Sequence, residues 1–256
     1  MEKVKKTVYF IGAGPGDPEL ITVKGARIIR EADTVIYTGS LVNPRVVGQL
    51  KEGCSLYDSS GMTLEEVMEI ILRAVERGET VARVHTGDPS IYGAVREQVD
   101  ILESQEISYE IVPGVSSFLS AAASLGKEYT LPGVSQTVIL TRVEGRTPVP
   151  QGEKLRDLAG HGASMVIFLS VQMIEKVVEE LLFGYEKDTP VAVVQRASWP
   201  EEKVITGTLM DIASRVKEAK IDRTALILIG RFLGDEYELS RLYDKAFSHG
   251  YREGEK

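Results

Sequence analysis

The sequence predicts an α/β protein made of two α/β domains, and three observations carry that expectation. Short apolar segments rich in Val, Ile and Tyr alternate with segments of helical period through the first half of the chain. Three of the apolar segments run into glycine-bearing loops, at Gly14-Pro15-Gly16-Asp17-Pro18, Thr86-Gly87-Asp88-Pro89 and Val112-Pro113-Gly114. The second half breaks the alternation, because Val191–Gln195 and Lys203–Thr208 lie close enough to pair antiparallel. The expected division is residues 1–115 around a mostly parallel sheet and residues 116–256 around a mixed one.

The elements follow in order. Val8–Ile11 reads as a strand, and Thr22–Glu31 as a helix with Thr22 at its N-cap. Thr34–Tyr37 is a strand. Thr63–Arg77 is a helix opened by the capping box Thr63/Glu66 and closed by Gly78. Thr80–His85, Tyr92–Glu103 and Tyr109–Val112 read as strand, helix and strand, and Ser117–Leu125 is a small-residue helix placed as a hinge between the halves. Beyond it, strands are expected at Val138–Thr141, Met165–Leu169, Val191–Gln195, Lys203–Thr208 and Ala225–Ile229. Helices are expected at Lys154–Leu158, Ile174–Leu182 and Met210–Ala219. The tail after Tyr243 is polar.

Composition narrows the function classes. The 256 residues carry a net charge of −8, which argues against nucleic acid or an anionic membrane as a bulk partner. No apolar run reaches the roughly 20 residues that span a bilayer, and the basic N-terminus lacks the pattern of a signal peptide. The lone Cys54 suits a reducing cytoplasm. Cys54 with His85, His161 and His249 gives no metal-ligand spacing, so no metal is expected.

The first glycine loop looks like a dinucleotide fingerprint and departs from it twice. Gly12, Gly14 and Gly16 are followed by Asp17 where the last glycine of G-x-G-x-x-G belongs, and the next strand ends in Thr38-Gly39-Ser40 with no acidic residue for a ribose. No Gly-Lys-Ser/Thr follows, so a nucleotide P-loop is excluded as well. In a parallel sheet all three loops reach the carboxyl edge, where ligands bind. Gly-Asp-Pro occurs in two of them. Asp17 and Asp88 each suit an N-cap with Pro at the first helical position, and equally a ligand site where glycine lets the backbone approach. His85 ends a strand beside the second loop, either as packing or as a substrate contact. Arg142 and Arg146, on the loop from Thr141 to Pro150, suit carboxylates, and Trp199 suits a core position or a planar ligand. No Gly-x-Ser-x-Gly elbow, His-Glu-x-x-His or Cys-His pair stands out as catalytic machinery.

Taken together, these loops resemble the tetrapyrrole (class III) methyltransferases over nearly the whole chain. Four stretches are similar to the subgroup acting at C11 of precorrin-4. They are Tyr57 to Glu66, His85 to Gly93, Gln136-Thr137 with Thr141 to Pro150, and Ala197-Ser198-Trp199-Pro200. The resemblance implies two α/β domains with a cleft between them, a homodimer, and S-adenosylmethionine as methyl donor. It places Pro15, Thr86, Gly87, Asp88, Ile91, Ser116, Ser117, Leu169 and Ala197 at the donor, where the family usually has Met near Leu169 and Gly near Ala197. It turns Gly12, Gly14 and Gly16 toward the anionic tetrapyrrole as much as toward the donor; His85, from its place beside the second loop, and Arg142, Arg146 and either Arg196 or Lys127, from the substrate's carboxylates, are the further substrate contacts expected. Relatives acting on uroporphyrinogen carry Asp after the second strand, where this chain has Thr38-Gly39-Ser40. The implied reaction is methyl transfer to C11 of precorrin-4 or its cobalt form in cobalamin biosynthesis. A uroporphyrinogen methylase, a nucleotide-dependent dehydrogenase and a non-catalytic S-adenosylmethionine sensor are the alternatives.

Overall fold

The computed structural model describes residues 7–254. Among them the chain packs as two compact units. One comprises the residues up to Ser120 together with Arg196–Glu201; the other comprises Ala121–Gln195 and the residues from Glu202 onward.

The first unit holds a five-stranded sheet in the order β3-β2-β4-β1-β5, formed by β1 (Val8–Gly12), β2 (Thr34–Tyr37), β3 (Ser55–Asp58), β4 (Val81–His85) and β5 (Tyr109–Val112). Every pairing is parallel. The side-chain period of two divides its residues between two cores. Val8, Phe10, Ile36 and Val81 pack under α2 (Leu64–Glu76) and α3 (Arg96–Ser104). Ile11, Ala13, Val35, Ala82, Val84 and Val112 pack with Ile28 and Ile29 of α1 (Val23–Glu31). The crossover after β1 therefore covers one face and the crossover after β4 the other. The neighbouring strands β1 and β4, whose crossovers leave to opposite faces, are thus a switch point of the kind at whose carboxyl ends open α/β sheets bind ligands.

The helix signals act locally as expected. The Thr22 side chain accepts from Gly25 N–H, and Thr63 and Glu66 form a reciprocal capping box. Strand β3 adds an element the pattern did not announce. The helix expected from Tyr92 starts only at Arg96, because Tyr92 (φ 55°) and Ala94 (φ 48°) are left-handed and interrupt any earlier turn.

The second unit has a five-stranded mixed sheet, β6-β7-β10-β8-β9. Its strands are β6 (Val138–Arg142), β7 (Ser164–Phe168), β8 (Pro190–Gln195), β9 (Lys203–Thr208) and β10 (Ala225–Ile229). Only β6 and β7 run parallel; β10 pairs antiparallel with β7 and β8, and β8 with β9. One face carries α5 (Leu155–Ala159), α6 (Ile174–Leu181) and α7 (Ile212–Glu218) over Met165, Ile167, Val191, Val193, Ile227 and Ile229. The division between the units falls inside α4 (Ser117–Leu125).

Candidate functional site

The three glycine loops leave the adjacent strands β4, β1 and β5, and backbone contacts lock them together. Gly14 and Gly87 form an antiparallel bridge through Gly87 N–H to Gly14 O (2.9 Å) and Gly14 N–H to Gly87 O (3.2 Å). Ala13 N–H donates to His85 O at 2.7 Å. The close packing requires glycine. A methyl built on Gly12 would sit 2.5 Å from Gly114 Cα and 2.6 Å from Gly87 O. One on Gly14, whose φ is +81°, would meet Leu20 O at 2.9 Å. At Gly16 the same space is filled by the Trp199 ring. All three glycines are buried. On the side where a Cβ would stand, the space at Gly12, Gly14 and Gly16 is taken by the chain itself.

The two Gly-Asp-Pro aspartates do different work. Asp17 Oδ1 accepts from Glu19 N–H (2.9 Å) and caps only the short turn Pro18–Leu20. Asp88 is followed by no helix. Its Oδ1 accepts from the Ser90 N–H (2.8 Å) and hydroxyl, and its Oδ2 accepts from Gly114 N–H (2.8 Å). Asp88 thus ties the β4 loop to the β5 loop, which its sequence neighbourhood does not reveal. Partial burial pushes its carboxyl up, but the hydrogen bonds from Ser90 and Gly114 outweigh that and hold it below the ordinary carboxylate range.

The other residues expected at a donor site differ in exposure and backbone. Pro15 and Ser116 are buried, Ile91 and Ser117 half-buried, and Thr86 exposed, its hydroxyl donating to Leu41 O at 3.3 Å. Gly87 has φ +59°. Ser117 opens α4. Ala197 is buried and packs with the first unit, flanked by left-handed Arg196 (φ 50°) and Ser198 (φ 66°). Leu169, in the second unit, follows β7 with φ 54° and 71% exposure. A bulky residue held in that region costs of order 1–3 kcal/mol.

His85 lies elsewhere than a substrate contact would. On β4 the alternation puts Arg83 and His85 on the same side as Val81, under α2 and α3, both buried. The imidazole packs 6.0 Å from the Phe10 ring, and its Nε2 has no hydrogen-bond partner among the described residues. Desolvation, and then the nearby Arg83 charge, lower its pKa to about 3 despite a hydrogen bond to the Gly93 backbone. The ring is neutral and interior, which corrects its assignment to substrate. Among the described residues no carboxylate pairs with Arg83, which keeps its charge. It donates to Ser59 Oγ (3.0 Å), Gln98 Oε1 (3.3 Å) and Ile36 O (3.4 Å), and burial lowers it only to about 10.

The cations expected to clamp carboxylates separate as well. Arg142 Nη1 and Nη2 donate to Thr147 O (3.0 Å) and Pro148 O (2.8 Å), so this guanidinium pins its own loop. Lys127 is held by Gly234 O and Asp235, and Arg196 by Glu201 and the Trp199 face. Arg146 is exposed and has no such partner among the described residues. A cleft of about 490 Å³ in the second unit, lined by Lys127, Thr206, Asp211 and Arg215, contains none of the residues expected at the donor. Sequence reasoning also missed Asp58, whose Oδ1 accepts from the Gly39 and Ser60 N–H groups (both 2.9 Å) and shapes the loop after β2.

The first unit thus brings backbone-tied glycine loops and the ionised Asp88 carboxylate together at the carboxyl ends of β4, β1 and β5. That suits a cationic organic ligand bound by shape, and alignment chemistry more than proton transfer.

Comparisons with known proteins bear on this directly. Residues 7–213 match the model of the Tetrapyrrole (Corrin/Porphyrin) Methylases. A cobalt-precorrin-4 C(11)-methyltransferase of Methanocaldococcus jannaschii is 55% identical over 98% of each chain. A solved cobalt precorrin-4 methyltransferase, described as a cobalamin biosynthetic enzyme, superposes with a TM-score of 0.89 at 44% identity, covering 92% of this chain and 99% of that one. A uroporphyrin-III C-methyl transferase from Thermus thermophilus, solved with S-adenyl homocysteine, aligns at a TM-score of 0.73 and 30% identity over 89% of this chain and 93% of that one.

Proposed function

The chain belongs to the tetrapyrrole methylase family, and from that premise we propose that it transfers a methyl group from S-adenosylmethionine to C11 of precorrin-4 or cobalt-precorrin-4, in cobalamin biosynthesis. The observation that carries the reading is the 55% identity to a C11 enzyme over 98% of both chains. Thr38-Gly39-Ser40, ordered by Asp58, stands where uroporphyrinogen-type relatives carry Asp, which favours the C11 reaction over that alternative.

The donor fits the residues present. It carries a fixed positive charge, and Asp88 is an ionised carboxylate at these strand ends. In this reading Pro15, Thr86, Gly87, Asp88, Ile91, Ser116, Ser117, Leu169 and Ala197 hold the donor. Arg146 pairs with a tetrapyrrole carboxylate. When bound, S-adenosylmethionine supplies an already activated methyl group. The protein's contribution is to fix the reactants and exclude water, and good alignment contributes about 7–11 kcal/mol. That accounts for a site rich in glycine and backbone ties. A homodimer in the cytoplasm completes the reading; the single Cys54 supports the compartment.

A single-turnover assay with labelled S-adenosylmethionine tests it, offering precorrin-4, cobalt-precorrin-4 and uroporphyrinogen III in parallel. Label transferred to C11 of either precorrin supports the proposal. Transfer only to uroporphyrinogen, or donor binding with no transfer, overturns it in favour of the other methylase or of a sensor.

A further inference from the structure

Every peptide of Pro15-Gly16-Asp17 is held by a side chain remote in sequence. Trp199 Nε1–H donates to Pro15 O at 2.9 Å, Asn43 Nδ2–H donates to Gly16 O at 2.8 Å, and Asp17 N–H donates to Ser198 Oγ at 3.0 Å. Asn43 is buried. Gly16 is not left-handed, so its backbone would accept a side chain. What a side chain there meets first is Trp199: the three atoms nearest to a methyl built on Gly16 are Cδ1, Nε1 and Cγ of its indole, all within overlap distance. The segment delivering the indole is strained, with left-handed Arg196 and Ser198 on either side of Ala197, and the Arg196 guanidinium lies 5.5 Å from the ring centroid. Strain of this kind persists where surrounding contacts enforce it.

We propose that Trp199, seated on Gly16, is a positioning residue that sets the glycine loop of β1 for donor binding. It acts through the Pro15 carbonyl and the shape of the loop, not by touching a reacting atom. The methyl-donor assignment of Pro15 is the reading on which this rests. Trp199 is the only tryptophan in the chain, so its emission reports on this one contact.

The test is a double-mutant cycle of Gly16→Ala and Trp199→Ala, read by thermal midpoint and by calorimetric titration with S-adenosylhomocysteine. Gly16→Ala alone must displace the ring. It is expected to red-shift the emission and to weaken S-adenosylhomocysteine by about tenfold or more. In the Trp199→Ala background the indole no longer blocks the methyl, and adding Gly16→Ala is expected to cost less than about twofold further. Trp199→Phe, which keeps a ring and loses the N–H donor, is expected to fold normally by circular dichroism and to bind S-adenosylhomocysteine about three- to tenfold more weakly. In the wild-type protein S-adenosylhomocysteine is expected to shift the Trp199 emission, a signature that a merely structural indole would not give. Independent, multiplicative effects of the two alanines, or wild-type affinity in Trp199→Phe, overturn the proposal. If the wild-type protein binds no S-adenosylhomocysteine, the donor reading fails, and with it the positioning role. The cycle in thermal midpoints then still decides whether Gly16 and Trp199 are coupled.

Discussion

Acidification from about pH 7.5 to 5 is expected to destabilise the first unit through one buried residue, His85. Its ordinary pKa of 6.5 falls to about 3 in the fold. Between those values the unfolded chain takes up a proton that the folded chain refuses. The unfolded state binds more protons, so stability is greatest above 6.5 and drains away as pH falls, by about 1.4 kcal/mol per unit once well below 6.5. At pH 5 the loss is about 2 kcal/mol, and it changes little if the folded value is a unit higher, because pH 5 still lies above it. His85 is 5% exposed, so solvent screens little of the effect. The window avoids most carboxylate titration, which lies nearer pH 4. Urea unfolding at both pH values measures it, followed by Trp199 emission because that indole packs with the first unit. In His85→Gln, which cannot ionise, the pH-dependent loss should shrink by about 2 kcal/mol. Equal pH dependence in the two proteins would refute the argument and mean that the buried imidazole takes up its proton freely.

Three further outcomes are expected. Asp88→Ala removes the acceptor of Gly114 N–H and both Ser90 bonds. Leaving a part-buried donor unmade costs about 1–3 kcal/mol, so S-adenosylhomocysteine affinity measured by calorimetry should fall at least fivefold with the fold intact by circular dichroism. Arg146→Ala should raise the tetrapyrrole KM several-fold and leave donor affinity unchanged, whereas Arg142→Ala should make the loop through Pro148 more sensitive to limited proteolysis, since its guanidinium holds that loop's carbonyls. Leu169→Gly should relieve the left-handed strain, raising stability by roughly 0.5–1 kcal/mol in urea melts, while lowering donor affinity.

Much of this protein was legible in sequence because its signals are local. Thr22, Thr63 with Glu66, and the alternation of Val8 to Ile11 each specify structure within a few residues. Ser55–Asp58 escaped notice because an edge strand of four residues, with Leu56 half exposed, carries little apolar pattern. What failed for the site were contacts distant along the chain. Nothing near Asp88 announces Gly114, nothing near Gly16 announces Trp199, and nothing near His85 says that Phe10 will cover its ring. At Gly12, Gly14 and Gly16 the group standing where a side chain would be is the protein's own backbone or indole. The missed signal at Arg83 and His85 was their phase: both share Val81's side of a strand whose two faces are buried.

The polar groups of the first unit follow from what alignment chemistry demands. A reaction whose donor arrives activated gains little from a strong base and much from atoms that do not move. Backbone at the ends of three strands is flexible unless its polar groups are tied, and each tie here uses a side chain that could otherwise have served as a reactant. Asp88 is spent on Gly114 and Ser90, Asp58 on Gly39 and Ser60, and Asn43, Ser198 and Trp199 on Pro15 to Asp17. Hydrogen bonding that lowers the carboxyls of Asp58 and Asp88 makes them poorer proton acceptors at neutral pH while it makes them better anchors. The same bonds that disqualify these carboxylates as bases are the ones that hold the loops in shape. Conservative replacement of an anchor should therefore reduce donor affinity and turnover together, with no new pKa appearing in the pH profile of either.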